Sequence, residues 1–354
     1  MKKIAIICVI LCTPLLINAQ TQIPTLDDLD HEIAMSSKYD KQYEDVIRNV
    51  KKQLHAAKSM EARYDLSNKL FNLYTSYSVD SAIVYAMEKQ KIAKAMGNQS
   101  KVNDAKLNLA YLLIRGGELK DASDIINSIP RSGINQDLSF YYFSTRKTLY
   151  RTLADAALIP SQRKMYKQME KLCNDSVVDN NQSPDIWSRA EQLVNRQQYE
   201  QAKKILLDAY HHLKPGDRQT AFVSISLADI YGRDKNVEAQ KQYLIAAAIS
   251  DIRNSVKEYL ALQQLAVILF EEGDTKRAYA YMDHAMNDAV FCNARQRTIA
   301  MADVWPAIEK SHERETKSRT LRLTAALVLI SLMSVFLLVM IIYTRRRVVE
   351  LRAF

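Results

Sequence analysis

The residue types that most often perform catalysis or bind metals are sparse and poorly spaced in this 354-residue sequence. His211 and His212 are adjacent, so on a helix their side chains point about 100° apart and share no metal-binding face. The sequence contains no Cys-x-x-Cys, His-Glu-x-x-His or Gly-x-Ser-x-Gly motif and no glycine-rich phosphate-binding loop. We therefore predict that the chain is not an enzyme and that it holds no catalytic residue, metal or cofactor.

The composition limits the elements that could position any other kind of site. Seven glycines occur among 354 residues, well below the usual share of about 7%. Tight turns and phosphate-binding loops of α/β and β folds depend on glycine, because they need backbone conformations that other residues avoid. The sequence therefore predicts an all-α fold and disfavours a Rossmann domain, a P-loop NTPase and a β-sandwich.

Residues 1–19 have the features of a cleaved secretory signal peptide. Two lysines precede an apolar run over residues 4–16, and the small residue Ala19 marks a cleavage position. The alternative is an uncleaved N-terminal anchor, but Pro14 interrupts the run and leaves it short for a membrane span. We expect the mature N-terminus to be exported.

Residues 323–343 form an uncharged apolar run that predicts one transmembrane helix. As a helix the run is about 30 Å long, which matches the hydrocarbon core of a bilayer. Arginines flank both ends of the run, so the exported N-terminus rather than the flanking charge sets the orientation. This topology places residues 20–322 in the periplasm, with a charged juxtamembrane helix at 305–322, and the tail at 344–354 in the cytoplasm.

The net charge of +9 does not indicate a nucleic-acid-binding surface. When the signal-peptide lysines and the charged residues of the tail are left out, 43 basic and 39 acidic residues remain, a net charge of +4. Basic residues beside a span anchor it at anionic lipid headgroups. We expect the membrane to be a partner of this chain and nucleic acid not to be one.

The exported part repeats a pattern of a small residue, a polar or glycine turn, and an alanine in the following helix. The alanines assigned to second helices are Ala82, Ala122, Ala202, Ala239 and Ala278. Their separations are 40, 80, 37 and 39 residues, so the 80 conceals a degenerate unit over about residues 138–172. The pattern resembles the tetratricopeptide (TPR) repeat, although the usual TPR period is ~34 residues.

This resemblance implies a TPR-like superhelix of helical hairpins, with an irregular helical bundle as the alternative. The expected order is an N-terminal helical segment at 20–59, repeats at 60–173, a polar joint at 174–184 and repeats at 185–304. In such an elongated array each repeat contacts only its neighbours. Cys173 and Cys292 are about 120 residues apart in such an array, so we expect two unpaired buried thiols, with a disulfide between them as the alternative.

The whole layout resembles a Bacteroidetes-type family of TPR membrane proteins. The resemblance is most specific over residues 258–295, which end in Phe291-Cys292-Asn293-Ala294-Arg295, and in the placement of the span. Members usually continue into a cytoplasmic coiled coil and a helix-turn-helix regulator, which implies signalling from the periplasm to transcription. Only eleven residues follow the span here, so we expect the chain to be the front portion of a longer signalling protein or a form that lost its output.

The first helix of each hairpin lines the concave groove of a TPR array. The resemblance to TPR repeats implies that nine residues of this sequence occupy these inner-face positions. They are Leu107, Tyr111, Trp187, Glu191, Ile225, Asp229, Arg233, Gln263 and Val267. Aromatic side chains supply contact area and polar groups orient a peptide backbone, so this set favours a protein or peptide partner. The Lys/Asn clamp that some TPR domains use for a terminal carboxylate is absent at these positions.

Two functions follow from these expectations. The first is a membrane-tethered sensor that binds a protein or peptide in the periplasm and relays a signal through the span. The second is an envelope scaffold that holds partners at the inner membrane without signalling. A sensor additionally needs a cytoplasmic output module or a second copy of the chain as its partner.

Overall fold

The computed structural model describes residues 24–179, 186–214 and 216–352, so the predicted signal peptide lies outside the described residues. The described residues form fifteen α-helices and one short 3₁₀ turn. The helices are α1 (Leu26–Ala56), α2 (Met60–Tyr74), α3 (Val79–Ala95), α4 (Gln99–Gly116), α5 (Leu119–Asn127), α6 (Gln136–Ala156), α7 (Pro160–Asp179), α8 (Ile186–Asn195), α9 (Tyr199–His212), α10 (Arg218–Arg233), α11 (Val237–Arg253), α12 (Ala261–Glu271), α13 (Thr275–Cys292), α14 (Arg295–Ala302) and α15 (Trp305–Arg352).

Local side-chain chemistry sets where these helices begin and end. Thr25 and Asp28 form a reciprocal capping box at the start of α1, and the Asn98 side chain accepts the Lys101 amide at the start of α4. Helix α4 ends at Gly117, whose φ of 83° lies in the left-handed region that glycine adopts without strain. Caps of this kind satisfy backbone groups that a helix end would otherwise leave unpaired.

The helices pack in consecutive antiparallel pairs, as TPR hairpins do. The pairs are α2/α3, α4/α5, α6/α7, α8/α9, α10/α11 and α12/α13. Ala82, Ala122, Ala202 and Ala278 in the second helices have no exposed surface, because they lie where paired helices approach closely. The TPR-like all-α fold is confirmed. Helix α7 continues to Asp179, so residues 174–179 of the expected joint are helical and its remainder lies outside the described residues.

The first and last hairpins of the array contact each other directly. The Lys257 amide donates a 2.7 Å hydrogen bond to the Ser76 carbonyl oxygen, and the Asn293 side chain donates to Asp80 at 2.9 Å. Arg115 at the end of α4 pairs with Glu258. We call this junction, between residues 75–80 and 115 on one side and 257–258 and 291–297 on the other, the closure. The expectation that each repeat contacts only its neighbours is therefore wrong.

Helix α1 lies across the closure and holds both sides of it. Its apolar side chains pack against both the first and the last hairpins. Its acidic side chains pair with basic groups of the last hairpins: Asp30 with Arg277 at 3.0 Å, Glu32 with Arg253 at 2.5 Å and Asp40 with Lys257 at 2.6 Å. Helix α1 thus takes the place of the further repeats that an open array would have there.

Helix α15 is the one described helix that is long and apolar enough to cross a membrane. Its Trp305–Arg346 portion is 42 residues long, and its apolar window has a mean hydropathy of 3.0 with no residue buried. The first turns of the same helix belong to the core of the array, because Ile308 is fully buried among α13 residues. The expected juxtamembrane helix and apolar run are therefore one continuous element that starts inside the array.

Candidate binding groove

Helix α4 is the first helix of its hairpin and carries a polar stripe on the side that is expected to line the inner face of a TPR array. Asp104, Asn108, Tyr111 and Arg115 recur at intervals of four, three and four residues, which is one face of a helix. Leu107 lies one position off this stripe and is 1% exposed in the core between α4, α5 and α6. Leu107 therefore packs the array and has no surface to offer a ligand, whereas Tyr111 is half-buried on the stripe.

A buried lysine fixes the first part of this stripe. Lys89 of α3 is 0% exposed, and its Nζ donates to Asn68 at 2.6 Å, to Asp104 at 2.8 Å and to Asn108 at 2.5 Å. Burial lowers the pKa of Lys89, and the Asp104 carboxylate opposes that shift. All three ammonium donors have acceptors within the protein, so this cluster holds α2, α3 and α4 together rather than binding a ligand.

An aromatic and ionic patch joins α6, α8 and α10 on the same face. Glu191 accepts from Lys147 at 2.5 Å and from Arg151 at 2.8 Å. Burial would raise the pKa of Glu191, but the two cations outweigh it and the pKa is lowered. The Lys147 Nζ lies 5.2 Å from the Trp187 ring, and the Phe222 ring lies 6.4 Å from that of Trp187. We call these five residues the aromatic patch.

The two rings of the aromatic patch stay accessible although the ion pairs beside them are largely buried. Trp187 is 37% exposed and Phe222 is 48% exposed. Large exposed aromatic rings on a monomer surface are typical of binding sites, because they bury much area with little loss of conformational entropy. Lys147 over the indole face adds a cation–π contact that orients the Trp187 ring.

Helix α10 continues the inner face toward α12. Asp229 is exposed, yet partial desolvation by the surrounding helices raises the pKa of its carboxyl, an effect opposed by a hydrogen bond from Gln264. Arg233, one turn further, is exposed and lies 5.3 Å from the Tyr199 ring. Asp229 and Arg233 thus offer opposite charges along one helix.

The remaining predicted residues mostly contribute to packing. Ile225 and Val267 are half-buried against the largest hydrophobic cluster of the array. Gln263 is half-buried, and its Oε1 atom has no hydrogen-bond partner among the described residues. This oxygen is itself buried, so it is an unsatisfied acceptor inside the packed array and is not open to a ligand.

The structure brings some predicted residues together and adds others that the sequence did not reveal. Trp187 and Glu191 lie in one patch, and Asp229 and Arg233 lie on one stripe of α10. Phe222 precedes Ile225 by three residues on the same helix face, so its spacing could have identified it. Lys147 and Arg151 lie in the degenerate unit, where no repeat motif could be carried over.

Reactive chemistry is not evident in the described part of the chain. No group of three or more His, Cys, Asp or Glu side chains there could hold a metal ion. Cys173 and Cys292 are both buried and unpaired, as expected. Burial raises the pKa of both thiols, so neither forms a reactive thiolate near neutral pH.

A comparison with protein families identifies the array. Residues 33–303 match the family profile described as the SusR N-terminal TPR domain, which covers most of the chain and ends just before α15. A search of curated proteins found no match. SusR-like proteins are Bacteroidetes regulators, so the match suggests a signalling protein rather than an enzyme.

Proposed function

The chain belongs to the SusR N-terminal TPR domain family, and we propose that it is a membrane-anchored receptor that binds a polypeptide and relays a signal through α15. In this proposal residues 20–322 lie in the periplasm, α15 crosses the inner membrane, and the tail faces the cytoplasm, where the output is transcriptional. The observation that carries the proposal is the pair of accessible rings, Trp187 and Phe222, on the inner face of the array.

The chemistry of the groove suits an extended polypeptide. The aromatic patch supplies the apolar anchor that dominates binding energy at most protein interfaces. Asp229 and Arg233 are exposed further along α10 and supply an acceptor and donors for a peptide backbone. Because these groups are spread over several hairpins, they fit a long ligand better than a compact metabolite.

The packing at the base of α15 supports the relay. Tyr279 of α13 stacks on Trp305 with ring centroids 5.3 Å apart and on His312 with centroids 4.1 Å apart. Ile308 lies between these two positions on α15 and is fully buried. A shift of α13 therefore cannot occur without moving α15, because a close-packed contact transmits displacement.

The two tryptophans of the chain allow binding and relay to be measured separately, because Trp187 lies in the groove and Trp305 at the base of α15. The full chain, reconstituted in nanodiscs, is used to select binders from a random peptide library displayed on phage. A selected peptide is then titrated against Trp305→Phe, which reports on Trp187, and against Trp187→Phe, which reports on Trp305 and keeps an aromatic anchor.

We expect the peptide to change the emission of both reporters with the same apparent Kd. Failure to select any peptide, or binding that leaves Trp187 emission unchanged, would overturn the proposed groove. A response of Trp187 without any response of Trp305 would instead support the envelope scaffold, which binds partners but relays nothing.

A further inference from the structure

Helix α14 carries an arginine whose charge is not matched by an acidic partner. Arg297 is partly buried where α14 packs against α4 at the closure. Within the described ranges its guanidinium forms no ion pair and no side-chain hydrogen bond. A guanidinium carries five donors and stays charged. Burying part of it without acceptors lowers the stability of the folded protein.

Arg115, whose positive charge acts on Arg297, is already neutralised by its own partners. Arg115 on α4 pairs with Glu258 and donates to the Thr75 carbonyl oxygen at 2.8 Å, and its guanidinium lies 5.4 Å from the Tyr111 ring. Desolvation lowers the pKa of Arg297, and the positive charge of Arg115 lowers it further. Arg297 therefore lies in a positive environment at the end of the polar stripe of α4.

The Asp251 carboxyl acts on the charge of Arg297 but forms no ion pair with it. Asp251, at the end of α11, forms no ion pair among the described residues. Burial raises its pKa to about 7, although Arg218 and Arg297 both oppose the shift. Near neutral pH this carboxyl is therefore protonated in a large share of the molecules. Asp251 therefore compensates the charge of Arg297 only in part.

We propose that Arg297 binds a carboxylate group of the polypeptide ligand, at the end of the groove where α4 meets α14. This proposal rests on the proposed function and adds the recognition chemistry of the ligand. A guanidinium and a carboxylate form paired hydrogen bonds of matching geometry. The partly desolvated position strengthens that interaction relative to the surface. The carboxylate belongs either to the C-terminus of the ligand or to an acidic side chain.

The first test uses inorganic sulfate, which does not depend on any peptide. Thermal unfolding of the full chain in nanodiscs is followed in sodium sulfate and in sodium chloride of equal ionic strength, for the wild type, Arg297→Gln and Arg295→Gln. Arg295 is an exposed arginine on the same helix and serves as the matched control. General salt effects on stability act on all three proteins alike, so only the difference between variants reports on the site.

We expect sulfate to raise the Tm of the wild type and Arg295→Gln more than that of Arg297→Gln. Without sulfate, Arg297→Gln should be at least as stable as the wild type, because an unmatched charge is removed. An equal sulfate response in all three proteins overturns the site. The site is also overturned if Arg297→Gln is less stable than Arg295→Gln and its Tm rises in sulfate as much as that of Arg295→Gln.

The second test uses a peptide selected on the groove, prepared with a free or amidated C-terminus and with its acidic side chains kept or replaced by amides. Loss of the responsible carboxylate should weaken binding to the wild type by about tenfold or more, and should have little further effect in Arg297→Gln. Binding that no carboxylate affects overturns the assignment of this ligand group. If no peptide binds but the sulfate difference persists, the proposed function fails while the anion site remains.

Discussion

The amide of Lys257 donates a hydrogen bond to the carbonyl oxygen of Ser76, and this contact joins the last hairpin of the array to the first. The same residue uses its buried Nζ to bind Asp40 of α1 and Asp288 of α13 at 2.6 and 3.0 Å. An open TPR array can change its curvature by small movements between neighbouring repeats. Here the two ends hold each other, so a movement in one hairpin must be accommodated by the closure or passed to α15.

We expect Lys257→Met to destabilise the protein by about 3–5 kcal/mol, because it leaves two largely buried carboxylates without their cation. His284, whose pKa burial lowers, lies 3.5 Å from Asp288 and cannot replace that charge at neutral pH. The measurement is urea unfolding followed by circular dichroism. Lys120→Met, which removes an exposed pair with Asp124, is the control and should leave the urea unfolding midpoint nearly unchanged. Equal effects of the two variants would contradict a structural role for the closure.

The helical repeats could be predicted because their signal is local. Small residues such as Ala202 and Ala278 recur at the close approach of two helices, and this requirement is visible in a single sequence. The same logic identified Trp187 and Glu191, four residues apart on α8. The assignment of Leu107 missed the inner stripe by one position because the period of this array exceeds that of the TPR repeat, so a carried-over register slips.

The closure could not be predicted because its signal is not local. Ser76 and Lys257 meet through backbone atoms, and a backbone hydrogen bond leaves no residue-type requirement in the sequence. The acidic residues of α1 have no pattern in the sequence that marks their partners, because Arg253 on α11 and Arg277 on α13 are more than 200 residues away along the chain. Arg297 lies far from α4 in the sequence, and only the packing of α14 against α4 brings it to the polar stripe.

Replacing the two accessible rings should weaken ligand binding. We expect Trp187→Ala to weaken the binding free energy of a selected peptide by more than 1 kcal/mol, because aromatic anchors carry a large share of binding energy. Phe222→Ala or Tyr111→Ala should weaken binding further. Met87→Ala removes an exposed apolar side chain of α3, outside both the aromatic patch and the closure, and is the control. Binding is measured by calorimetry in nanodiscs. Unchanged affinity with intact helicity would remove these rings from the site.

The raised pKa of Asp251, about 7, predicts the sign of a pH effect on stability. Between about pH 4 and pH 7 the folded protein holds this proton more tightly than the unfolded chain, so the free energy of unfolding falls as pH rises through that window. Asp251→Asn removes the cost of ionising this carboxyl in the folded state and should raise the free energy of unfolding above pH 7 by about 1–2 kcal/mol. This is less than the whole pKa shift would give, because the side chain is partly exposed.

The measurement for Asp251 is urea unfolding at pH 5, 7 and 8. The exposed Asp121→Asn is the control, and its unfolding curve should follow that of the wild type at every pH. A stabilisation by Asp251→Asn that is as large at pH 5 as at pH 8 would show that the carboxyl is not the cause, because most of it is protonated at pH 5 in the folded state.

The proposed topology predicts that the array is accessible from outside the inner membrane. Protease added to intact spheroplasts should digest residues 20–322 and leave a fragment that contains the apolar part of α15 and the tail. Antibodies against a tag after the last residue and against the array would identify the two parts on a gel. Protection of the array in intact spheroplasts, with digestion only after lysis, would contradict an exported array.

The stack between Tyr279 and His312 provides the sharpest test of the relay, because it lies outside the groove and joins α13 to α15. We expect Tyr279→Leu, made in the Trp187→Phe background, to abolish the response of Trp305 emission to a bound peptide while the Kd changes by less than twofold. Leucine keeps the position apolar but removes both ring contacts, so the helices remain packed yet can move independently. Tyr85→Leu, which breaks the stack with Tyr74 in the first hairpin, is the matched control and should keep the Trp305 response. If Tyr279→Leu leaves the response of Trp305 intact, α15 receives its signal by another route or none, and the coupling through α13 is wrong.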